Sequence, residues 1–249
     1  MNNKINKEKW LTIGLLPIMW LFYFAFEIIT GRVNDLYTFI MNLLLTVVFA
    51  LTGLLIYFIS KKYNKGFSSK IVIIIFIILM LIDQGTKIII KFFFFNKYIQ
   101  IIKDFLSFDP IINTDGSWLN ARFGLGVGFS VLVLLNFLAV ILFIEVYRYY
   151  LSKGNKDFWA DMSFLFIVAG ALCSLIDKVF YGGSLDFIGI SDLFIADIKD
   201  IYINLGILFF IMLIYIKGYF KEDDNSTLKD DWKSIKEFLR FMRKDILKK

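Results

Sequence analysis

Apolar positions along this chain gather into six long runs, at about residues 10–29, 36–60, 71–90, 125–146, 158–180 and 201–216. Each approaches the ~20 residues that a helix needs to cross a hydrocarbon core of about 30 Å. The pattern predicts an all-α polytopic membrane protein with about six transmembrane helices. The first two runs form an appended N-terminal hairpin over residues 1–66, joined through "KKYNKGFSSK" to a four-helix unit over 67–220. The remaining residues, 221–249, include Trp232, Ile235, Phe238, Leu239, Met242 and Ile246 at helical spacing, with basic residues between them. This tail reads as an amphipathic helix, either lying on an anionic leaflet or packing on the protein's own loops.

Composition narrows the choice. With 58% hydrophobic residues and 29 Phe in 249, too little polar surface remains for a soluble domain to face water. The single cysteine, Cys173, excludes a disulfide framework within one chain. The chain holds no histidine, so Ser-His and Cys-His nucleophile pairs and the H-E-x-x-H zinc site are all excluded. Any acid–base chemistry then falls to Asp, Glu, Lys or Tyr. The net charge of +6 is distributed as a membrane protein's orientation signal, and no nucleic-acid-binding module is visible.

Basic flanks set that orientation. Lys4, Lys7 and Lys9, then Lys61, Lys62, Lys65 and Lys70, then Arg148, Lys153 and Lys156, and finally the tail share one side. Both termini are therefore expected in the cytoplasm. No small-x-small cleavage site follows the first run, which reads as an uncleaved anchor. Glu27 sits near an outer end, where snorkelling to the interface would satisfy it.

Ionisable residues inside spans are functional candidates, because each costs several kcal/mol unless paired or hydrated. Three clusters stand out: "LIDQGTKIII" with Asp83 and Lys87, "SLIDKVF" with Asp177 and Lys178, and "ADIKDIYINLG" with Asp197, Lys199 and Asp200. Asp83 and Lys87 are four apart and share a helical face, so they can neutralise each other. Asp177 ends one span and Asp200 begins the next, which can bring two carboxylates together at the outer end. Such a pair would share one proton and supply a general base and a general acid. Each Asp could equally mark a helix end near water.

In this order the boxes resemble those of the lipoprotein signal peptidase (signal peptidase II) family. "DQGTK" resembles D-Q-x-T-K, "AGALCSLIDK" resembles G-G-A-x-G-N-x-x-D-R, and "YGGSLDFI" resembles Y-G-x-V-x-D-F. "ADIKDIYINLG" is similar to F-N-x-A-D with Gly206 six residues on. The resemblance covers about residues 71–216 and implies a membrane aspartic endopeptidase with no metal or other cofactor. It would cut signal peptides from prolipoproteins just before a cysteine carrying diacylglyceryl, in a bacterial plasma membrane, with its site toward the outer face. The catalytic aspartates would be Asp177 and Asp200. Asp83, Lys87, Ser174, Lys178 and Asp186 would support them, with Asn113 or Asn120 and Arg122 from "NTDGSWLNARFG".

The chain also departs from the pattern. Ser174 stands for Asn, Lys178 for Arg, and Ala196, Asp197 and Lys199 for Phe, Asn and Ala. A catalytically silent relative binding lipidated or transmembrane partners is the alternative. A small transporter built on Asp83 and Lys87 would need a polar path to the cytoplasmic half, and the spans contain none.

Overall fold

The computed structural model describes residues 2–116, 118–218 and 228–247. Among these residues eight α-helices are formed: α1 (Asn2–Ile29), α2 (Leu36–Lys62), α3 (Ser69–Ile89), α4 (Trp118–Phe123), α5 (Phe129–Ser152), α6 (Phe158–Ile176), α7 (Ile198–Lys217) and α8 (Leu228–Leu247). Six are long and apolar enough to cross a membrane, namely α1, α2, α3, α5, α6 and α7. The helical membrane class is as expected. The polar segments between spans add something the apolar pattern left as loops: a four-stranded antiparallel sheet of β1 (Ile99–Ile102), β2 (Leu106–Asn113), β3 (Ser184–Ile190) and β4 (Phe194–Ala196), in that order.

Local chemistry sets the helix starts. Asp35, Ser68, Asp157 and Asp197 are N-caps of α2, α3, α6 and α7, each accepting from a backbone N–H in the first turn. The fourth span starts later than the apolar run suggests, at Phe129, because Gly124 and Gly126 hold positive φ ahead of it.

The centre of the bundle is the α6–α7 pair. Between apolar helices in lipid, association depends on close packing more than on water exclusion. At Gly206 an added Cβ would lie 2.6 Å from Ile167 Cγ1 and 3.0 Å from the Ile167 backbone nitrogen. Its missing side chain lets the two backbones approach. Tyr202 on α7 donates to the Leu79 carbonyl at 3.1 Å, tying α3 to the pair.

The hairpin is docked on this centre. Leu15, Leu16 and Ile56 pack into one cluster with Phe158, Trp159, Leu208, Phe209 and Met212. At the far end Arg32 donates to the Asp192 carbonyl at 2.6 Å. Glu27 does not snorkel. It is fully buried and ion-paired with Arg32 at 3.3 Å and Arg122 at 3.5 Å, because the loop carrying α4 covers it.

Residues 219–227 and 248–249 of the tail lie outside the described residues. The helix α8 packs one face on the end of α5, through Arg148–Asp245 at 2.7 Å and through Tyr149 against Phe238 and Phe241. Trp232, Ile235, Leu239 and Ile246 stay exposed on another face.

Candidate active site

Three helix ends and one strand converge at the sheet end of the bundle. α3 brings Asp83, Gln84 and Lys87. α6 widens after Ile176 into a π-turn, Asp177–Tyr181, which Gly182 closes in the left-handed conformation at φ 68°. Single π-turns of this kind recur at functional sites. β3 follows, and its period-two alternation puts Ser184 and Asp186 on one face. The alternate residues Leu185 and Phe187 pack with Ile90 instead. Across the ladder Asn113 pairs with Ser184, in a register shifted around Pro110, which has no N–H to donate.

The ammonium of Lys87 is the hub. It lies 3.0 Å from Asp83 Oδ2, 2.6 Å from Asp177 Oδ2 and 2.6 Å from Asp197 Oδ2. Gln84 Nε2 donates to Asp83 at 3.0 Å and to Asp177 Oδ1 at 3.1 Å. A second ammonium, Lys199, lies 2.5 Å from Asp197 Oδ2, 3.5 Å from Asp186 and 3.6 Å from Asp177. Asp83, Asp177 and Asp197 have no exposure to solvent, and Lys87 has 1%. Burying such charges costs several kcal/mol each, and only this density of pairing offsets the cost.

The structure therefore sets Asp197, and not Asp200, on the same ammonium as Asp177. Asp200 sits one turn along, partly exposed, and its Oδ2 accepts from the Asp197 backbone nitrogen at 3.2 Å. Asp197 in turn accepts from the Asp200 nitrogen at 3.2 Å, which completes a capping box. Two ammonium groups, Lys87 and Lys199, are set beside the Asp177 and Asp197 carboxylates. Burial raises the proton affinity of Asp197, but Lys199 and Lys87 outweigh it and hold this carboxyl below its ordinary range. Asp186 goes the other way: its burial dominates, Lys199 and Ser184 offset it only in part, and its carboxyl is raised.

Of the other residues singled out, Asn113 reaches the site and donates to Asp186 Oδ2 at 2.9 Å. Asn120 instead spans its own loop, donating to the carbonyls of Asp115 and Val127. Arg122 donates to Thr30 Oγ1 at 2.6 Å beside Glu27, so it fastens α4 to the hairpin. The two substituted positions meet each other, with Lys178 Nζ donating to Ser174 Oγ at 2.6 Å. Ser184 went unnoticed in the sequence, although its place two residues before Asp186 in "SLDF" was the available signal. Asp186, Asp197 and Asp200 bring carboxylate oxygens within 4.8 Å of one another, a grouping able to hold a cation. Two of these three already pair with Lys199.

Residues 74–216 match the family described as signal peptidase (SPase) II. The chain belongs to the signal peptidase II family. Among curated relatives, it is 29% identical over 104 residues to the lipoprotein signal peptidase of Wigglesworthia glossinidia brevipalpis, covering 39% of this chain and 64% of that one. It is 34% identical over 90 residues to the lipoprotein signal peptidase of Clostridium novyi (strain NT), covering 36% and 56%. The chain thus spans less than two thirds of either relative's length. A solved bacterial membrane enzyme shares the fold at a TM-score of 0.52 and 22% identity, over 66% of this chain and 99% of that one. The converging helix ends all fall inside the matched region.

Proposed function

We propose that the protein is a membrane aspartic endopeptidase that removes signal peptides from prolipoproteins carrying a diacylglyceryl-cysteine. The observation that carries this reading is the juxtaposition of Asp177 and Asp197 on one buried ammonium at the membrane-end of three helices. Asp197, held ionised, takes a proton from water as the water oxygen attacks the scissile carbonyl. That proton is passed across the pair, and Asp177 delivers it to the leaving amine as the C–N bond breaks. Lys87 fixes both carboxylates and Gln84 orients Asp177, while Asn113 and Asp186 flank them. Residues 67–220 form the catalytic unit in this reading, with 1–66 and 221–249 as additions to it. The site faces the outer side of a bacterial membrane, because the basic flanks of the chain and α8 lie at the opposite helix ends.

Cleavage of a diacylglyceryl-modified prolipoprotein by the purified protein in lipid tests the proposal. Asp177→Asn should lower the rate about 10²–10⁴-fold, the range expected for a lost acid–base group. Unchanged cleavage in that variant, with native folding, would sink the assignment.

One observation favours a silent binding relative: both carboxylates are saturated by ammonium groups and closed to solvent. That reading expects no cleavage by the unaltered protein and intact partner capture by Asp177→Asn.

A further inference from the structure

The residues of α8 sort by chemistry around the helix axis. At about 100° per residue, Phe238, Phe241 and Asp245 share one face, and this face turns to α5. Tyr149 lies against both rings, with centroids 5.5 and 5.2 Å away, and Arg148 holds Asp245 at 2.7 Å. Lys153 adds a looser pair with Glu237 at 3.5 Å. The acidic residues of the helix, Asp230, Asp231, Glu237 and Asp245, all fall on this side.

Next around the axis come Trp232, Ile235, Leu239 and Ile246, an exposed apolar strip about 60° wide. Beyond Trp232 an arc of about 100° carries Lys229, Lys233, Lys236, Arg240, Arg243 and Lys244, all exposed and with no acid among them. Lys229 and Lys233, Lys236 and Arg240, and Arg240 and Lys244 are each four apart. Like charges at that spacing destabilise a helix in water, so the arc calls for an anion outside the helix. One anion would relieve one pair, whereas an extended anionic surface relieves the whole row.

Position selects that surface. α5 is a membrane-length helix, and α8 meets it at Arg148, Tyr149 and Lys153, the polar end of the span. A helix held there reaches the bilayer surface, where acyl chains and headgroups adjoin as the apolar strip and the basic arc do. Trp favours that boundary, and Trp232 stands at the edge where strip and arc meet.

We propose that α8 is a docking surface for anionic lipid. The strip enters the boundary between headgroups and acyl chains, and the basic arc holds acidic headgroups. The acidic side, keyed to α5, fastens the tail to the bundle. The proposal is independent of the peptidase reading, because α8 lies at the helix ends opposite the carboxylate cluster.

The test uses the full chain with Ile235→Cys carrying a nitrobenzoxadiazole label, reconstituted in vesicles whose two leaflets share one composition. The unaltered protein, whose one cysteine, Cys173, is buried, supplies the labelling blank. In mixed phosphatidylglycerol–phosphatidylcholine vesicles the emission should shift to the blue and be quenched by lipids spin-labelled on the upper acyl chain. Both effects should be lost in pure phosphatidylcholine, and weakened near 1 M salt, where the Debye length falls to about 3 Å. Lys233→Gln, Lys236→Gln and Arg240→Gln together should abolish them with helix content unchanged, and Arg240→Lys should keep them. Where the triple variant loses helix, the comparison of the two vesicle types in the chain with these basic residues intact decides. No quenching in either vesicle overturns the proposal. So does equal quenching in both, which would mean adsorption without headgroup recognition. A blue shift without quenching also overturns it, and would mean that a second copy or another part of the chain covers the strip.

Discussion

Replacing Asp197 and Asp200 one at a time, each by Asn, tests which of the two carboxylates works with Asp177. Asp197 Oδ2 touches Lys87 at 2.6 Å and Lys199 at 2.5 Å, and it shares the first of these ammoniums with Asp177. As Asn it still caps α7 through its amide oxygen, since Asn and Asp are comparable N-caps. The fold should therefore persist while the base is lost. A thousandfold fall in kcat, or about 4 kcal/mol of transition-state stabilisation, is the expected scale. Asp200 contributes one 3.2 Å bond to the Asp197 nitrogen. An Asn oxygen can replace it, so the loss in stability should stay below about 1 kcal/mol. Its rate should stay within about tenfold of the unaltered protein, the factor that 1.4 kcal/mol represents. Electrophoretic mobility of a diacylglyceryl-modified prolipoprotein reads the cleavage, and thermal unfolding in the same lipid reads the fold. Should Asp200→Asn abolish cleavage with native melting while Asp197→Asn retains it, the reacting pair is Asp177–Asp200 and the reasoning from the shared ammonium fails.

Three further outcomes are expected. Gly206→Val drives a side chain into Ile167, 2.6 Å from where its Cβ would sit, and should destabilise the α6–α7 contact by about 1–3 kcal/mol in a detergent unfolding series; no shift would mean that the helices separate freely. Lys87→Met removes an ammonium that lies within 3.0 Å of three carboxylates and should cost about 3–5 kcal/mol, with part of the loss recovered by adding Asp83→Asn; an equal loss in the double variant would argue against charge as the cause. Asp186 is raised above its ordinary 3.8, so the stability it lends is full below that pH and lost as pH climbs through its folded value. Asp186→Asn should remove that decline, raising stability at neutral pH relative to the unaltered protein, and a steeper decline in the variant would reverse the sign of the argument. Asp197 has the opposite linkage, its contribution being lost as pH falls below 3.8.

The arrangement explains how so many ionisable groups can be kept out of water. Lys87 and Lys199 each bridge carboxylates from different elements, so the charge network also fastens α3, the π-turn, β3 and α7 together. Removing either ammonium leaves its carboxylates less compensated in a medium of low polarity, where the penalty is greatest. Lys199 and Asp197, two residues apart on the edge of α7, both point inward because the capping box turns the chain at Asp197 before the helix begins.

The amino-acid sequence by itself determined the membrane class, because a run of about twenty apolar residues has few other uses. It also singled out Asp83, Lys87 and Asp177, since a charge in such a run demands a partner. Spacing of four placed Asp83 beside Lys87, and their 3.0 Å contact is a local consequence of the helix. What the sequence could not decide is which carboxylate meets Asp177. Asp197 and Asp200 are three residues apart, and both could face the same way until a cap fixes where the helix begins. Only the start of α7 at Ile198 decides this, turning Asp197 onto Lys87 and leaving Asp200 to close the cap. The sheet was hidden for a related reason: its strands are short, and β1 and β4 gain their stability from neighbours in the ladder. Ser184 reached the site through that pairing, and Arg122 left it because tertiary contact gave it Glu27, a partner 95 residues away.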